Sequence, residues 1–390
     1  MKVVKALILE DHPWLRSKSL IRLLHILNTD GLNARMVGGC VRDALLGREI
    51  IDIDLACSLT PEGSRTRLEN AKIKVIPTGL KHGTITAVID KRSYEITTLR
   101  RDVETDGRHA KVVFIDDWAE DARRRDFTFN ALYLDGDGSL YDPCGGLADL
   151  KAGRVRFIGD AHKRIQEDAL RILRFFRFAA QIGEGKLDPI GLAACIRNKG
   201  LIDNLSGERL AQEIFKILQA ENLLPIIEVM ADSGILEKVL PGHKPLDKFN
   251  DFVRLENDLG RCDILMRLSC LCAGDVSRHL KLSNSQAKTL RQYAGQDIAV
   301  YPGMNEKDIR KSVYLSGRQV FIFALLQSWA GDEVLRYAEN WTIPTMPVQG
   351  RDLIRAGFAA GPALGVKLKS LETAWVESDF RLSKQELLVL

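Results

Sequence analysis

Long hydrophobic runs are absent: no unbroken apolar stretch approaches the ~18 residues that a membrane helix requires, so a spanning protein is excluded. Cysteine is sparse as well. The seven cysteines are an odd number scattered singly except for Cys270 and Cys272, with no C-x-x-C pair and no Cys/His spacing suited to zinc, so a disulfide framework and a structural zinc are both excluded. They read as reduced core residues. An excess of one charge sign is missing too, because 56 Lys and Arg face 52 Asp and Glu for a net charge of +4. No global field announces a polyanionic partner, and the placement of the basic residues decides the matter. His243 and His279 have no aspartates at metal-ligand spacing, so the C-terminal half carries no HD phosphohydrolase signature. The stretch MKVVKALILEDHPWL is too short for a signal h-region, is closed by Glu10 and Asp11, and offers no small-x-small cleavage site. A cytoplasmic protein with no membrane partner is the expectation.

What remains is the composition of a globular chain: 390 residues, 45% apolar and 28% charged. That length gives two or three domains of roughly 150 residues and buries ~75% of the unfolded surface. No repeat or low-complexity tract interrupts it. SLIRLLHILNTDGLNA carries apolar residues at three- and four-residue steps and predicts an amphipathic supporting helix before residue 34. From Ala34 to about Arg156 the texture changes to short β-rich runs, ARMV, IIDIDLA, KIKVIPT, GTITAVID, SYEITTL, KVVFI and FNALYLD, separated by turns. From about Ala161 helical periodicity takes over and continues through RLAQEIFKILQA, RCDILMRLSCLCA and RQVFIFALLQSWA. ENLLP, with Pro225, suggests a further boundary near 222, and TIPTMPVQG introduces a last small helical unit.

The chemistry concentrates in the first 220 residues. In MVGGCVRDALLG (Met36 to Gly47) two glycines close a strand and open a helix, which lets backbone N–H groups approach an anion without Cβ obstruction. Arg42, one turn on, can reach the same anion. Five residues later Asp52 and Asp54 follow with period two, on one strand face opposite Ile51, Ile53 and Leu55, where two carboxylates can hold a pair of Mg²⁺ ions. Glu95 of SYEITTL shares a face with Thr97 and stands open to two readings, a third acidic group at the metals or an exposed strand glutamate. Arginines cluster in RRRDF (Arg123 to Phe127) and in HKRIQEDALRILRFFR (His162 to Arg177), which suggests phosphate chemistry.

These motifs together resemble a family. GG-x-x-RD-x-x-LG followed by D-x-D is similar to the head motif of class II tRNA nucleotidyltransferases, the CCA-adding enzymes and bacterial poly(A) polymerases of the polymerase-β superfamily. TDGRHAKVVF resembles that family's flexible-loop region, although Ala110 stands where proline often follows the Arg-His pair. RRDFTFNAL resembles the second head motif, YDPCGGLADL the strand closing the head, EDALRILRFFRFAA the nucleotide-selecting neck helix and SGERLAQEIFKIL the motif after it. The likeness implies an α+β fold in which an N-terminal polymerase-β-type nucleotidyltransferase head with a mixed sheet is followed by an all-α neck, body and tail. The boundaries drawn are a helical element at 1–33, the head at 34–156, the nucleotide-selecting neck at 157–221 and a tRNA-binding body and tail at 222–390.

The implied activity is template-independent addition of C, C and A to the 3′ end of tRNA from CTP and ATP, with Mg²⁺ on Asp52 and Asp54. Gly39, Arg42 and Arg125 would hold the triphosphate, while Asp126 and Asn130 would be structural. Within the neck, Asp168 and Arg171 at i and i+3 form either a helix ion pair or a base-reading pair. A carboxylate facing N4–H₂ of cytosine or N6–H₂ of adenine, with a guanidinium facing the ring acceptors, accepts C and A and mismatches U and G. Arg174 and Arg177 continue the series, Arg174 toward phosphate or base and Arg177 toward the triphosphate or the packing partners of the helix. Ser206, Glu208, Arg209 and Glu213 read as a structural helix start. The loop from Arg101 to Lys111 would help the pocket switch from C to A. Rival readings are a poly(A) polymerase, an enzyme adding only CC or only A, and a non-catalytic RNA-binding protein. No protein partner is expected.

Overall fold

The computed structural model describes residues 1–106, 109–183, 185–295 and 298–390, with the backbone alone described over 102–106 and 109–111. Two compact units divide at residues 241 and 242. The first holds a sheet of eight strands: β1 (Val3–Ala6), β2 (Ala34–Val37), β3 (Ile53–Cys57), β4 (Lys74–Gly79), β5 (Thr84–Ile89), β6 (Arg92–Thr98), β9 (Tyr133–Leu134) and β10 (Ser139–Tyr141). Their order is β1-β10-β9-β2-β3-β6-β5-β4, and β7 (Arg100–Asp106) with β8 (His109–Phe114) forms a separate ribbon. The sheet is mixed, because β3 and β6 run parallel while their neighbours pair antiparallel. Helices α1 (Lys18–Leu27), α2 (Gly39–Leu45), α3 (Pro61–Asn70), α4 (Trp118–Arg123) and α5 (Gly146–Lys151) accompany it.

Residues before 34 give the head more than the expected helix. VVKA contributes β1, which pairs with β10 at one edge of the sheet. YDPCGGLADL, expected to close the head as a strand, does so only at its first residue. Tyr141 ends β10, after which Gly145 at φ +73° turns the chain, and both carboxylate oxygens of Asp142 accept from the backbone N–H groups of Gly146 and Leu147 to start α5. The expected loop from Arg101 to Lys111 falls on the β7–β8 ribbon; Gly107 and Arg108 lie outside the described residues, as does the Asp106 side chain.

The rest of this unit is helical: α6 (Ala161–Glu167), α7 (Leu170–Gln181), α8 (Pro189–Asn198), α9 (Gly207–Leu218), α10 (Leu223–Asp232) and α11 (Ile235–Val239). Phe127 and Phe129 of the head stack against each other, and Phe178 of α7 meets both edge-on at 5.4 and 5.2 Å. Each such contact adds about 0.5–1.5 kcal/mol to the area it buries, so the start of the neck is fixed to the head. The helices are interrupted between Leu218 and Leu223, ahead of Pro225. That proline lies in the first turn of α10, where no intrahelical N–H is needed, and packs so closely on the turn after α7 that a Cβ at Gly185 would meet its Cγ at 2.7 Å. The second unit is built from helices running from Asp247–Asp258 to Lys384–Leu388. Its last three helices enclose Val348, Leu353, Leu371, Trp375 and Leu387 in a small core.

Candidate active site

The β2–α2 turn requires its first glycine. Gly38 sits at φ +75° and ψ −124°, where a side chain would be strained. Two guanidinium groups close over this turn: a Cβ at Gly38 would stand 3.9 Å from Nη1 of Arg125, and one at Gly39 3.9 Å from Nη2 of Arg42. Arg42 is held by Asp43, which accepts from Nε and Nη2 at 2.9 Å each, and by Asn130, which accepts from Nη1 at 3.1 Å. Asn130 in turn donates to Asp126 at 3.0 Å, and Asp126 accepts from Nε of Arg174 at 2.7 Å. A continuous run of hydrogen bonds therefore joins the glycine turn to the neck.

The acidic face lies beside it. Asp54 on β3 is in register with Glu95 on the parallel strand β6, so the two carboxylates project from the same sheet face. Both are exposed, while Leu55, Tyr94 and Ile96 are buried on the other side. Asp52 precedes β3 and stands close enough to act on Asp54 electrostatically; Ile51, expected on the core face, is 85% exposed because the ladder starts only at Ile53. Neighbouring protein thins the hydration of the Asp54 carboxylate although the residue stays exposed, and Glu95 and Asp52 repel it, so that despite Arg125 it is pushed up to about 6. Among the described residues no three His, Cys, Asp or Glu side chains converge as a preformed ion site.

The neck side is richer in cations. Asp168 does not share a helix with Arg171: it caps α6 at φ −154°, and α7 begins only at Leu170. Their mutual ion pair is therefore absent. Asp168 accepts from Nη2 of Arg209 at 3.0 and 2.8 Å through its two oxygens, and Arg171 donates to Glu167 at 2.5 Å and to the Arg164 carbonyl at 2.8 Å. Arg174 engages Asp126, and Arg177 pairs with Glu213 of α9 at 2.9 Å with both side chains buried. Burial, followed by repulsion from Arg174, brings Arg177 down to about 10 against the attraction of Glu213.

These elements enclose a cavity of about 550 Å³ lined by eight arginines, Arg42, Arg100, Arg124, Arg125, Arg171, Arg174, Arg177 and Arg209, against three aspartates, Asp54, Asp126 and Asp168. Gly39 lines it as well. Such an excess of fixed positive charge around one carboxylate face suits a nucleoside triphosphate. Sequence reasoning missed Arg209, which reads as an ordinary helix-start residue, and left unassigned Arg100 and Arg124, whose places in the cavity depend on tertiary packing.

Residues 34–156 match the family model described as "Poly A polymerase head domain", and residues 186–246 match "Probable RNA and SrmB-binding site of polymerase A". The chain is 34% identical to the mitochondrial CCA tRNA nucleotidyltransferase 1 of Mus musculus, over 95% of its own length and 89% of the relative's. It is 32% identical to the CCA-adding enzyme of Lactobacillus johnsonii over 91% and 92% of the two chains. Among solved structures, the Bacillus stearothermophilus CCA-adding enzyme in complex with CTP superimposes with a TM-score of 0.77 at 28% identity, covering 95% of each chain. With a head of that kind, a matching helical neck and similarity running through both compact units, the chain belongs to the CCA-adding tRNA nucleotidyltransferase family.

Proposed function

We propose that this protein adds C, C and A to the 3′ end of tRNA, taking CTP and ATP and releasing pyrophosphate. The observation that carries the reading is the single cavity that sets Asp54 opposite an arginine wall ending in Asp168 and Arg171. Asp52 and Asp54 are hard oxygen donors two residues apart, and Glu95 and Asp52 repel the Asp54 carboxylate, a repulsion that a bound cation would relieve. That donor set fits Mg²⁺, which is commonly held by one or two carboxylates and completed by substrate phosphates. When bound there, the ion favours ionisation of the tRNA 3′-hydroxyl and offsets charge on the α-phosphate and the departing pyrophosphate. Glu95, in register with Asp54, supports a third acidic role at the same face.

The protein's own groups do the holding and the choosing. The Gly38–Gly39 turn leaves room for phosphate oxygens, and Arg42 and Arg125 close on it, with Arg174 further along the same wall. Asp168 accepts from the exocyclic amino group of cytosine or adenine, while Arg171 donates to the ring acceptor. Arg209 and Glu167 hold these two side chains in place without exhausting them, since a carboxylate has about four acceptor sites and a guanidinium five donors. Arg177, paired with Glu213, supports this wall from beneath more than it reaches substrate.

Among the described residues no helix is long and apolar enough to cross a membrane. A cytoplasmic location is supported by seven free thiols, five of them buried. Incubation with tRNA lacking its 3′ end and each labelled nucleotide in turn tests the whole reading. Two additions from CTP followed by one from ATP are expected. An ATP ladder on any RNA would make it a poly(A) polymerase, arrest after CC or failure to start without CC would make it a partial enzyme, and no incorporation at all would leave only RNA binding.

A further inference from the structure

We infer that Asp121 is a positioning residue for nucleotide transfer, which aims the Arg125 guanidinium at the Gly38–Gly39 turn. The inference rests on the triphosphate role proposed for Arg125. Asp121 closes the first turns of α4, four residues before Arg125, and its side chain is fully buried. A carboxylate in that position is costly unless every lone pair is used. Here they are: Oδ2 accepts from Nε and Nη2 of Arg125 at 3.3 and 3.2 Å and from the hydroxyl of Tyr133 at 2.7 Å. Oδ1 accepts from Nε of Arg124 at 2.8 Å and from the backbone N–H of Arg100 at 3.3 Å.

The consequence is directional. A guanidinium is a planar fork, so fixing the edge that carries Nε and Nη2 decides where Nη1 goes. Nη1 is the atom that stands 3.9 Å from the Cβ position of Gly38. Tyr133 limits the remaining freedom, with the Arg125 carbon 5.5 Å from its ring centroid. The same carboxylate fastens Arg124 and the first residue of the β7–β8 ribbon, so three cavity-lining arginines, Arg100, Arg124 and Arg125, take their starting points from it. Burial pushes the Asp121 carboxyl up, and Arg125 and Arg124 overcome this and hold it at about 2, so it stays charged throughout the working range. Asp121 never touches the substrate in this account. It acts through Arg125.

A double-mutant cycle decides it. With wild-type Arg125, D121N should raise KM for CTP by about tenfold, ~1.4 kcal/mol, with a smaller change in kcat, and should weaken competition by inorganic tripolyphosphate while leaving competition by cytidine unchanged. In an R125A background the same D121N change should raise KM for CTP by no more than about twofold, the remainder acting through Arg124 and Arg100. An equal penalty with and without Arg125 overturns the positioning role, as does a loss shared equally by tripolyphosphate and cytidine. R125A that leaves KM untouched removes the triphosphate reading and this inference together, whereas R125A that raises KM alongside an additive D121N removes the inference alone. Should D121N not fold, Y133F replaces it in the same cycle. It frees Asp121 on one side, and a two- to fivefold rise in KM that disappears in R125A is expected, while a rise that persists in R125A overturns the proposal.

Discussion

The two ends of the cavity treat charge in opposite ways. At the sheet end Asp54 loses hydration to neighbouring protein and is repelled by Glu95, its partner in register, and by Asp52, which together push its carboxyl up to about 6. At the neck end every acid is matched to an arginine: Glu167 to Arg171, Asp168 to Arg209, Asp126 to Arg174 and Glu213 to Arg177. The difference separates two tasks. Mutually repelling acids at the sheet end fit the proposal that a cation arrives there with the substrate. Compensated charge at the neck end fits the proposal that these side chains are held still enough to tell one base from another.

Breaking the sheet end should cost the most. Asp54→Ala removes a carboxylate proposed to hold metal, and losing several kcal/mol of charge stabilisation corresponds to a fall in turnover on the order of a thousandfold. Filter binding should show tRNA affinity nearly intact, since the grip on the phosphate backbone comes from cations elsewhere. Normal turnover of this variant at physiological Mg²⁺ would remove Asp54 from the reaction.

At the neck end the expected loss is in choice more than in speed. Asp168→Asn replaces an acceptor by a donor that suits O4 of uracil. Leaving a base polar group unpaired costs ~1–3 kcal/mol, so preference for CTP and ATP over UTP should collapse by roughly one to two powers of ten. Competition among four nucleotides measures it alongside a thermal melt. A lower melting temperature with unchanged preference would make Asp168 a structural partner of Arg209 and nothing more.

Arg209→Ala sharpens the contrast, because it leaves both groups proposed to read the base present and removes the support of one. Discrimination should fall by about three- to tenfold, the scale of one partly exposed ion pair plus a loosened hydrogen bond. If turnover drops while discrimination holds, the Arg209 contact serves packing alone.

The smallest effect is thermodynamic. A carboxyl raised from its usual range to about 6 keeps its proton in the folded state while the unfolded chain has already released it. Stability therefore declines as pH climbs from the ordinary carboxylate range through 6, and the penalty persists above that. In metal-free protein Asp54→Asn should melt slightly higher than wild type at pH 7.5 and at the same temperature below pH 4. Mg²⁺ should then raise the wild-type midpoint by ~2–4 °C, through binding to the native state only, and leave Asp54→Asn unmoved. Equal shifts in both proteins would place the ion elsewhere.

Local pattern was enough to place the glycine turn and to put Asp54 on a strand, though not the late start of β3, which leaves Asp52 ahead of the ladder. Gly38 and Gly39 between a strand and a helix, and carboxylates two residues apart, are signals carried within twenty residues of chain. The neck was legible only in part. In EDALR the helix breaks at Asp168, whose carboxylate accepts from the Leu170 N–H at 3.1 Å, a capping signal present locally, and also from Arg209, 41 residues on, which no local pattern shows. Arg209 itself looks like any arginine at a helix start. Asp121 sits one residue from an ordinary Ala-Arg run and shows its importance only when Tyr133, Arg100 and Arg125 come together around it. Phe127 and Phe129, by contrast, alternate as a buried face should, and both are fully buried.

The in-register pairing of Asp54 with Glu95 also bears on how the chain avoids folding wrongly. Side chains alternate across a strand, so a slip of one residue between β3 and β6 would carry one of the two acids into the seat now filled by Leu55, Tyr94 or Ile96. Burying an unpaired carboxylate there costs several kcal/mol, far more than the loss of a few ladder hydrogen bonds. A near-native but displaced sheet, compact and catalytically dead, is thereby made too unfavourable to accumulate. The acids that wait for a cation in the finished enzyme act, before it is finished, as wardens of strand alignment.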